Sequence, residues 1–211
     1  MSNTSHFDES AAQWDNNPTR VALARAVGAA VCRAVPLQPS WRALDYGAGT
    51  GLLTLHLQPH VASILAMDFS PGMLGTLRTK LETTGISNVE TFQWDLEAKP
   101  FSQEAFDLVV SSMTFHHLRD VLLVLGRLTG LLKSGGWLAF ADLEPEDRSF
   151  HGENIEGVFH HGFARPEVEQ WLRDVGLTQV LVENVHSVSK PDAKGQFHSY
   201  GVFLAAGQKK S

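Results

Sequence analysis

The feature that most constrains the fold is the short segment DYGAGTG at positions 45–51, which lies between a strand-like run and a helix-like run. Its three glycines stand at alternate positions, and a glycine inside an element costs about 0.5–1 kcal/mol relative to alanine. Three glycines so close together indicate that something approaches the backbone there. A ligand that lies across a strand-to-helix turn approaches the backbone in this way, because it contacts backbone N–H groups and the start of a helix.

The rest of the chain alternates short apolar runs with segments of helical periodicity, which predicts an α/β fold with a mostly parallel sheet covered on both faces. The strand-like runs are 42–46, 63–69, 88–95, 106–113 and 137–141. Helices are expected from Pro18, after Ser70, between 119 and 132, and over 166–175. The runs 179–188 and 200–206 flank a turn-rich segment, 190–195, and predict an antiparallel hairpin at a sheet edge.

Acidic residues follow three successive strand-like runs, since Asp45, Asp68 and Asp95 stand at their ends. A single aspartate at a strand end is more often a turn former or helix cap. Three beside a glycine loop indicate a ligand that offers hydrogen-bond donors. Asp68, at the end of the second strand, is placed to accept from both hydroxyls of a ribose. Asp95 is placed to accept from the exocyclic amine of an adenine.

The glycine loop differs from the dinucleotide pattern G-x-G-x-x-G, because Leu52 stands where the third glycine would fall. Asp45 would also place a negative charge near the phosphates of a dinucleotide. Both features disfavour an NAD-dependent oxidoreductase. They favour a ligand that has a cationic group and no phosphates.

The motifs, in this order and spacing, resemble those of the class I S-adenosylmethionine-dependent methyltransferases over about residues 40–145. The resemblance implies a Rossmann-like, doubly wound seven-stranded sheet of order 3-2-1-4-5-7-6 with the last strand antiparallel. The matching segments are the family's glycine motif (45–51), ribose segment (67–74), adenine segment (94–96), fourth-strand motif (106–118) and fifth-strand entry (131–140).

The same resemblance implies the cofactor S-adenosyl-L-methionine, with S-adenosyl-L-homocysteine as product, and in-line transfer of a methyl group to a small-molecule acceptor. The glycines would let the methionyl part lie on the backbone, Asp45 would lie near its ammonium group, and Phe69 would lie on the adenine ring. The implied cofactor-binding residues are Asp45, Gly47, Ala48, Gly49, Gly51, Asp68, Phe69, Asp95, Leu96 and Met113.

Methyl transfer needs alignment and, for an acceptor that carries a proton, a base, which histidine provides near neutral pH. His116 and His117 follow the fourth strand and are the candidate catalytic residues, either orienting or deprotonating substrate or merely shaping the loop. The N-terminal residues Phe7 and Trp14 are expected to close over the cofactor or, alternatively, to pack for stability.

The polar, glycine-rich segment 151–163 is expected to form part of a substrate lid, with His151, His160 and His161 as lid residues. Together with Glu153 and Glu156 these histidines could also bind a divalent metal ion. Since no partner for the outer ring nitrogens is evident from the sequence, we expect no metal.

Composition narrows the classes of function. The 211 residues fit a single domain with an N-terminal lid and helix (1–40), a cofactor-binding core (41–145), a substrate-side loop (146–165) and a final helix with an edge hairpin (166–211). The net charge of −6 weighs against a nucleic-acid partner. We expect a cytoplasmic protein, because the N-terminus is polar, the chain has one cysteine, and no apolar run is long enough to span a membrane. The sequence does not predict the oligomeric state. A protein side-chain methyltransferase and a non-catalytic S-adenosylmethionine-binding protein remain as alternatives.

Overall fold

The computed structural model describes residues 5–102, 105–151, 157–191 and 195–210. A seven-stranded sheet of order β3-β2-β1-β4-β5-β7-β6 lies at its centre. Strand β7 runs antiparallel to both of its neighbours, and the other pairs are parallel, so the predicted order and the antiparallel last strand are confirmed. The strands are β1 Arg42–Tyr46, β2 Ser63–Asp68, β3 Val89–Gln93, β4 Phe106–Ser112, β5 Leu132–Leu143, β6 Leu177–Pro191 and β7 Phe197–Lys209.

The described residues form six α-helices around the sheet, and three of these begin where the sequence provides a capping side chain. Asn17, Ser70 and Asp120 each accept a hydrogen bond from a backbone N–H in the first turn that follows, which satisfies donors with no partner inside the helix. The helices are α1 Ser5–Ser10, α2 Pro18–Ala34, α3 Leu52–Leu57, α4 Pro71–Thr84, α5 Val121–Gly130 and α6 Arg165–Asp174.

The core lies on both faces of the sheet, as continuous apolar strands require. Successive residues of β1 show this directly, because Ala43 packs into one apolar cluster and Leu44 into the other. One cluster joins the sheet to α5 and α6, and the second joins it to α2 and α3. Cys32 on α2 packs at the edge of the second cluster as a free, partly buried thiol.

Three strands, β5, β6 and β7, are longer than the sequence predicts. Strand β5 begins at Leu132, so the lysine and glycines at 133–136, expected to lead into the strand, belong to it. Leu132 pairs with Phe106, with a register shift before the next pair, and this pairing keeps the segment extended. Strand β6 runs to Pro191 because β7 pairs with it along nearly its whole length. Residues 192–194 of the expected turn lie outside the described residues.

The carboxyl ends of β1, β2, β4 and β5 meet at one edge of the sheet, and the N-terminal segment covers that edge. The Asp8 carboxylate of α1 accepts hydrogen bonds from Ser70 Oγ at 2.6 Å and from the Gly72 N–H at 2.9 Å. Asp45 and Asp68 consequently line a cavity that the N-terminal residues Phe7 and Trp14 also line. Among the described residues, no helix has both the length and the apolar character needed to cross a membrane.

Candidate active site

The glycine loop forms one wall of a cavity of about 390 Å³. The glycines of this loop have two different structural roles. A Cβ at Gly47 would lie 2.2 Å from Thr114 Oγ1, and one at Gly51 would lie 2.3 Å from Leu77 Cδ1, so these two positions permit close packing. A Cβ at Gly49 would meet nothing within 4 Å. Gly49 therefore leaves open space on the cavity side, where a ligand can approach the backbone.

Asp45 lies under this loop and is almost fully buried, with a relative exposure of 1%. Thr54 Oγ1 on α3 donates to its carboxylate at 2.5 Å. Burial raises the pKa of Asp45 to about 7; the Thr54 hydrogen bond opposes this rise, and the nearby charge of Asp68 adds to it. A cationic group beside Asp45 would favour its ionised form.

Asp68 ends β2 and faces the same cavity. One carboxylate oxygen accepts from the Gly49 N–H and the other from the Ser70 N–H, each at 2.8 Å. Because a carboxylate oxygen can accept two hydrogen bonds, each oxygen keeps capacity for a further donor. Burial raises the pKa of Asp68, while the backbone donors oppose that rise. The residue can therefore receive a pair of adjacent hydroxyl groups.

Phe69 lies between this cavity and a second one of about 240 Å³, which Asp95 also lines. Asp95 does not end β3 as expected, because that strand stops at Gln93. Its carboxylate accepts from the N–H groups of Glu97 and Ala98, each at 3.0 Å, and so fixes the turn. Leu96 is buried in the core and contributes its side chain to neither cavity. The structure thus places Asp95 and Leu96 beyond Phe69, apart from the glycine loop.

Met113, at the end of β4, lines the main cavity with an unusual backbone, φ +56°. Non-glycine residues rarely adopt this left-handed conformation, which costs about 1–3 kcal/mol. The Met113 N–H donates to the Ala141 carbonyl at 2.8 Å, which ties the strained turn to β5. The strain lies where β4 opens toward the cavity.

The N-terminal segment closes the cavity with aromatic side chains. The Phe7 ring contacts the rings of Trp14, Phe69 and His117 at centroid distances of 6.0, 5.9 and 5.2 Å. Phe7 and Trp14 both line the cavity, as the lid interpretation expects.

Asp15 fastens this segment to the glycine loop. Thr50 Oγ1 donates to the Asp15 carboxylate at 2.5 Å, and Lys80 forms an ion pair with the same carboxylate. The Lys80 ammonium also donates to the Thr50 carbonyl at 2.6 Å. Asp8 and Asp15 were not predicted from the sequence, because acidic residues in a polar N-terminal segment give no signal of a tertiary contact.

His116 forms a buried pair with Asp142 at the end of β5. Its Nδ1 donates to Asp142 Oδ1 at 2.7 Å, and both side chains are at most 1% exposed. Burial acts to raise the pKa of Asp142, but the charge and hydrogen bond of His116 outweigh it, so that the pKa is lowered. In a neutral imidazole this bond leaves the lone pair on Nε2. Asp142 was missed, although an acid at a strand end is the signal that identified Asp45.

His117 and His151 complete a surface that we call the histidine wall, made of His116, His117 and His151. His117 Nδ1 donates to the Gly157 carbonyl at 2.7 Å. Burial, then the charge of His116, lowers the pKa of His117 to about 3, and the same causes lower the pKa of His151 to about 3. One ring nitrogen from each of the three residues lies within 4.8 Å of the others.

The other two lid histidines lie apart from the cavity wall. The His160 ring packs beside Phe163 at 5.2 Å, and His161 pairs with Glu146 at 3.0 Å. Glu153 and Glu156, the remaining metal-ligand candidates of this segment, lie outside the described residues. The structure brings His151 together with His116 and His117, and not with His160 or His161.

Two cations, Arg20 and Lys190, also line the cavity and were not predicted. The Arg20 guanidinium lies 3.6 Å above the Trp14 ring, and the Lys190 ammonium lies 4.8 Å from the Phe150 ring centre. Burial lowers the pKa of both, and the charge of Arg20 further lowers that of Lys190. Both cations therefore add positive charge to a cavity that the two aspartates also line.

Comparison with known proteins supports one family. Residues 44–140 match the family described as "Methyltransferase domain". An uncharacterized methyltransferase of Schizosaccharomyces pombe is 36% identical over 139 residues, 59% of this chain and 48% of that protein. Demethylmenaquinone methyltransferase of Thermus thermophilus is 34% identical over 113 residues, 53% of this chain and 51% of that protein. The match thus spans about half the length of these two relatives.

The fold is found among solved structures over almost the whole chain. A putative methyltransferase in complex with the Haloferax volcanii Trm112 methyltransferase activator has a TM-score of 0.76 at 19% identity, covering 97% of this chain and 98% of that chain. At this identity the likeness establishes the fold alone. The sequence matches over residues 44–140 and the sheet order thus make this chain similar to methyltransferases, and the cofactor they support is S-adenosylmethionine.

Proposed function

We propose that this chain transfers the methyl group of S-adenosylmethionine to a small-molecule acceptor bound at the histidine wall. The observation that carries the proposal is that one cavity is lined by two chemically different groups. Asp45 and Asp68 line it beside the glycine loop, and the histidine wall lines it as well. A transfer between two bound molecules needs such an arrangement, because the reacting atoms must be held in line.

The cofactor is placed by the aspartates and the loop. Its ribose hydroxyls donate to the two Asp68 oxygens, and its methionyl part lies on Gly47 and Gly49, with the ammonium group toward Asp45. Its adenine lies on Phe69, toward the second cavity and Asp95. The open space beside Gly49 and the remaining acceptor capacity of Asp68 support this placement.

The acceptor is small, because the N-terminal segment roofs the cavity and about 390 Å³ is the size of a small-molecule site. The Thermus relative is named for a small-molecule acceptor, demethylmenaquinone. The histidine wall activates this acceptor, and Asp142 holds His116 in position for that role. The cofactor brings the leaving group, so the protein contributes alignment and acceptor activation.

Calorimetric titration with S-adenosylhomocysteine tests the cofactor site, with NADH titrated in parallel. Asp68→Asn should weaken binding by about 1.5–3 kcal/mol, roughly 10- to 150-fold in Kd, the range for hydrogen bonds to a charged group. Asp174→Asn, at an exposed position on α6, is the matched control and should leave Kd unchanged. Thermal unfolding of both variants checks the fold. Equal affinities in wild type and Asp68→Asn, or binding of NADH alone, would contradict the assignment.

The acceptor class needs a separate experiment. The protein is incubated with S-adenosylmethionine labelled in its methyl group and a cell extract divided into small-molecule and protein fractions. We expect label in the small-molecule fraction. Label in the protein fraction would favour a protein side-chain methyltransferase. No transfer, with S-adenosylhomocysteine binding intact, would favour a non-catalytic binding protein.

A further inference from the structure

The histidine wall contains buried ring nitrogens that have no partner. His116 is 1% exposed, yet its Nε2 makes no hydrogen bond with any described residue, and the same holds for His151 Nε2. Leaving a buried polar atom unsatisfied costs about 1–3 kcal/mol. Two such atoms lie on neighbouring rings, whose centroids are 4.9 Å apart, so one ligand in the cavity would satisfy both.

The outer nitrogens of the wall have the partners that metal-binding histidines have. His116 Nδ1 donates to the Asp142 carboxylate, and His117 Nδ1 donates to the Gly157 carbonyl, both at 2.7 Å. A histidine that binds a metal usually donates its other ring N–H to a carboxylate or a backbone carbonyl, which fixes its orientation. In two of the three residues, therefore, the ring is held with Nε2 available as a ligand.

We propose that His116, His117 and His151 bind a divalent transition-metal ion of the zinc type at the acceptor end of the cavity. Imidazole ligands suit zinc, copper, iron and nickel rather than magnesium or calcium. Three histidines with one open position form a catalytic type of zinc site, in which a water or a substrate takes the fourth position. No metal was expected from the sequence, because no partner for the outer ring nitrogens was evident there. The sequence also grouped His151 with His160 and His161, which the structure separates from it.

The geometry is close to that of a loaded site. Zinc–nitrogen bonds of about 2.0–2.1 Å in a tetrahedron place the nitrogens about 3.4 Å apart. The present nitrogens lie within 4.8 Å, so the rings must close by about 1–1.5 Å. His151 lies in a turn after β5 rather than in a strand or a helix. It can make this movement without displacing the sheet.

The role of the ion rests on the proposed function. An acceptor with an O–H or S–H group binds at the open position, and the ion lowers its pKa so that its proton passes to solvent. A lone pair on that oxygen or sulfur then attacks the methyl carbon of S-adenosylmethionine. The carbon–sulfur bond breaks, and its electron pair stays on the sulfur of S-adenosylhomocysteine. The methylated acceptor is neutral at that atom and binds the ion less tightly, which favours its release.

Metal content of the tag-free, full-length protein tests the site. After incubation with zinc and removal of free ion, we expect about one zinc per chain. His116→Ala, His117→Ala and His151→Ala should each lose it. His160→Ala and His161→Ala are matched controls in the same part of the chain, outside the cluster, and should retain it. Cobalt substitution adds a signature, since a site with few ligands gives visible absorption bands that the three variants should lack.

Two readouts keep this test separate from the proposed function. Titration with S-adenosylhomocysteine reports the cofactor site, so a variant that still binds it is folded and its zinc content can be interpreted. A folded wild-type protein that takes up no zinc or cobalt would overturn the proposal. So would zinc uptake that is equal in the three variants and the two controls. Loss of S-adenosylhomocysteine binding in a zinc-loaded wild type would instead contradict the methyltransferase function.

Discussion

Asp45 should make the affinity for the cofactor depend on pH. Burial raises the pKa of this carboxyl to about 7 in the ligand-free chain. A ligand ammonium group binds well beside a carboxylate and poorly beside a neutral acid. From a pKa of about 7, roughly a tenth of the chains carry an ionised Asp45 at pH 6 and roughly nine tenths at pH 8. The affinity should therefore rise about tenfold between these values, or about 1.4 kcal/mol.

Calorimetric titration with S-adenosylhomocysteine at pH 6, 7 and 8 measures this rise. Asp45→Asn is the control, because it keeps the size of the side chain and removes its titration. Its profile reports any titration of the ligand itself or of other groups. We expect the wild-type profile to rise about tenfold more than that of the variant. Parallel profiles in the two proteins would refute the assignment of Asp45 to the ammonium group.

The same pKa shift predicts how the stability of the ligand-free chain changes with pH. A raised pKa means that the folded state binds more protons than the unfolded state between about pH 4 and pH 7. The stabilising contribution of Asp45 is complete below that window and is lost as the pH rises through it. Thermal unfolding should show wild type losing stability relative to Asp45→Asn over this window, and S-adenosylmethionine should oppose the loss. Curves that do not separate would contradict the buried titration.

Three further predictions concern the loop, the lid and the histidine wall. Gly49→Ala should weaken S-adenosylhomocysteine binding at least tenfold and lower the free energy of unfolding by about 1 kcal/mol. Gly47→Ala shares the positive φ but also clashes with Thr114. Its free energy of unfolding, measured by chemical denaturation, should therefore fall by about 1–3 kcal/mol more. Asp15→Asn should raise the dissociation rate of the cofactor in stopped-flow measurements, because it loosens the lid; an unchanged rate would contradict the closure. Asp142→Asn should lower zinc affinity about 10- to 100-fold in competition with a chelator, with cofactor affinity unchanged.

The fold was predictable because its signals are local. Each central strand is a short apolar run, and both of its faces are buried, so its position is evident without any knowledge of its neighbours. The lengths of β5 and β6 were not predictable in the same way. Residues 133–136 are polar and glycine-rich, and they are extended because of pairing with β4 rather than because of their own preference. Pairing of this kind is a tertiary property.

The site was predictable where a residue type coincides with a strand end. This rule found Asp45 and Asp68, and it would also have found Asp142 had it been applied to the fifth strand. The three lid histidines could not be told apart from the sequence. The N–H groups of Phe159 and His160 both donate to the His116 carbonyl, which holds this stretch beside the wall, while the His160 ring packs toward Phe163. Such main-chain contacts decide which histidine reaches the cavity.

The charges around the cavity suit the direction of the proposed reaction. Asp45 and Asp68 line the cavity beside the glycine loop, and Arg20 and Lys190 line the same cavity. Among the described residues, no carboxylate oxygen lies within 4.0 Å of either cation. A sulfonium cofactor is attracted by the aspartates, and an acceptor that has lost its proton is attracted by the cations. Methyl transfer removes both charges at once. Charge interactions inside a partly enclosed cavity are screened less than in water. The cavity consequently holds the two charged reactants more strongly than the two products, and this difference favours product release.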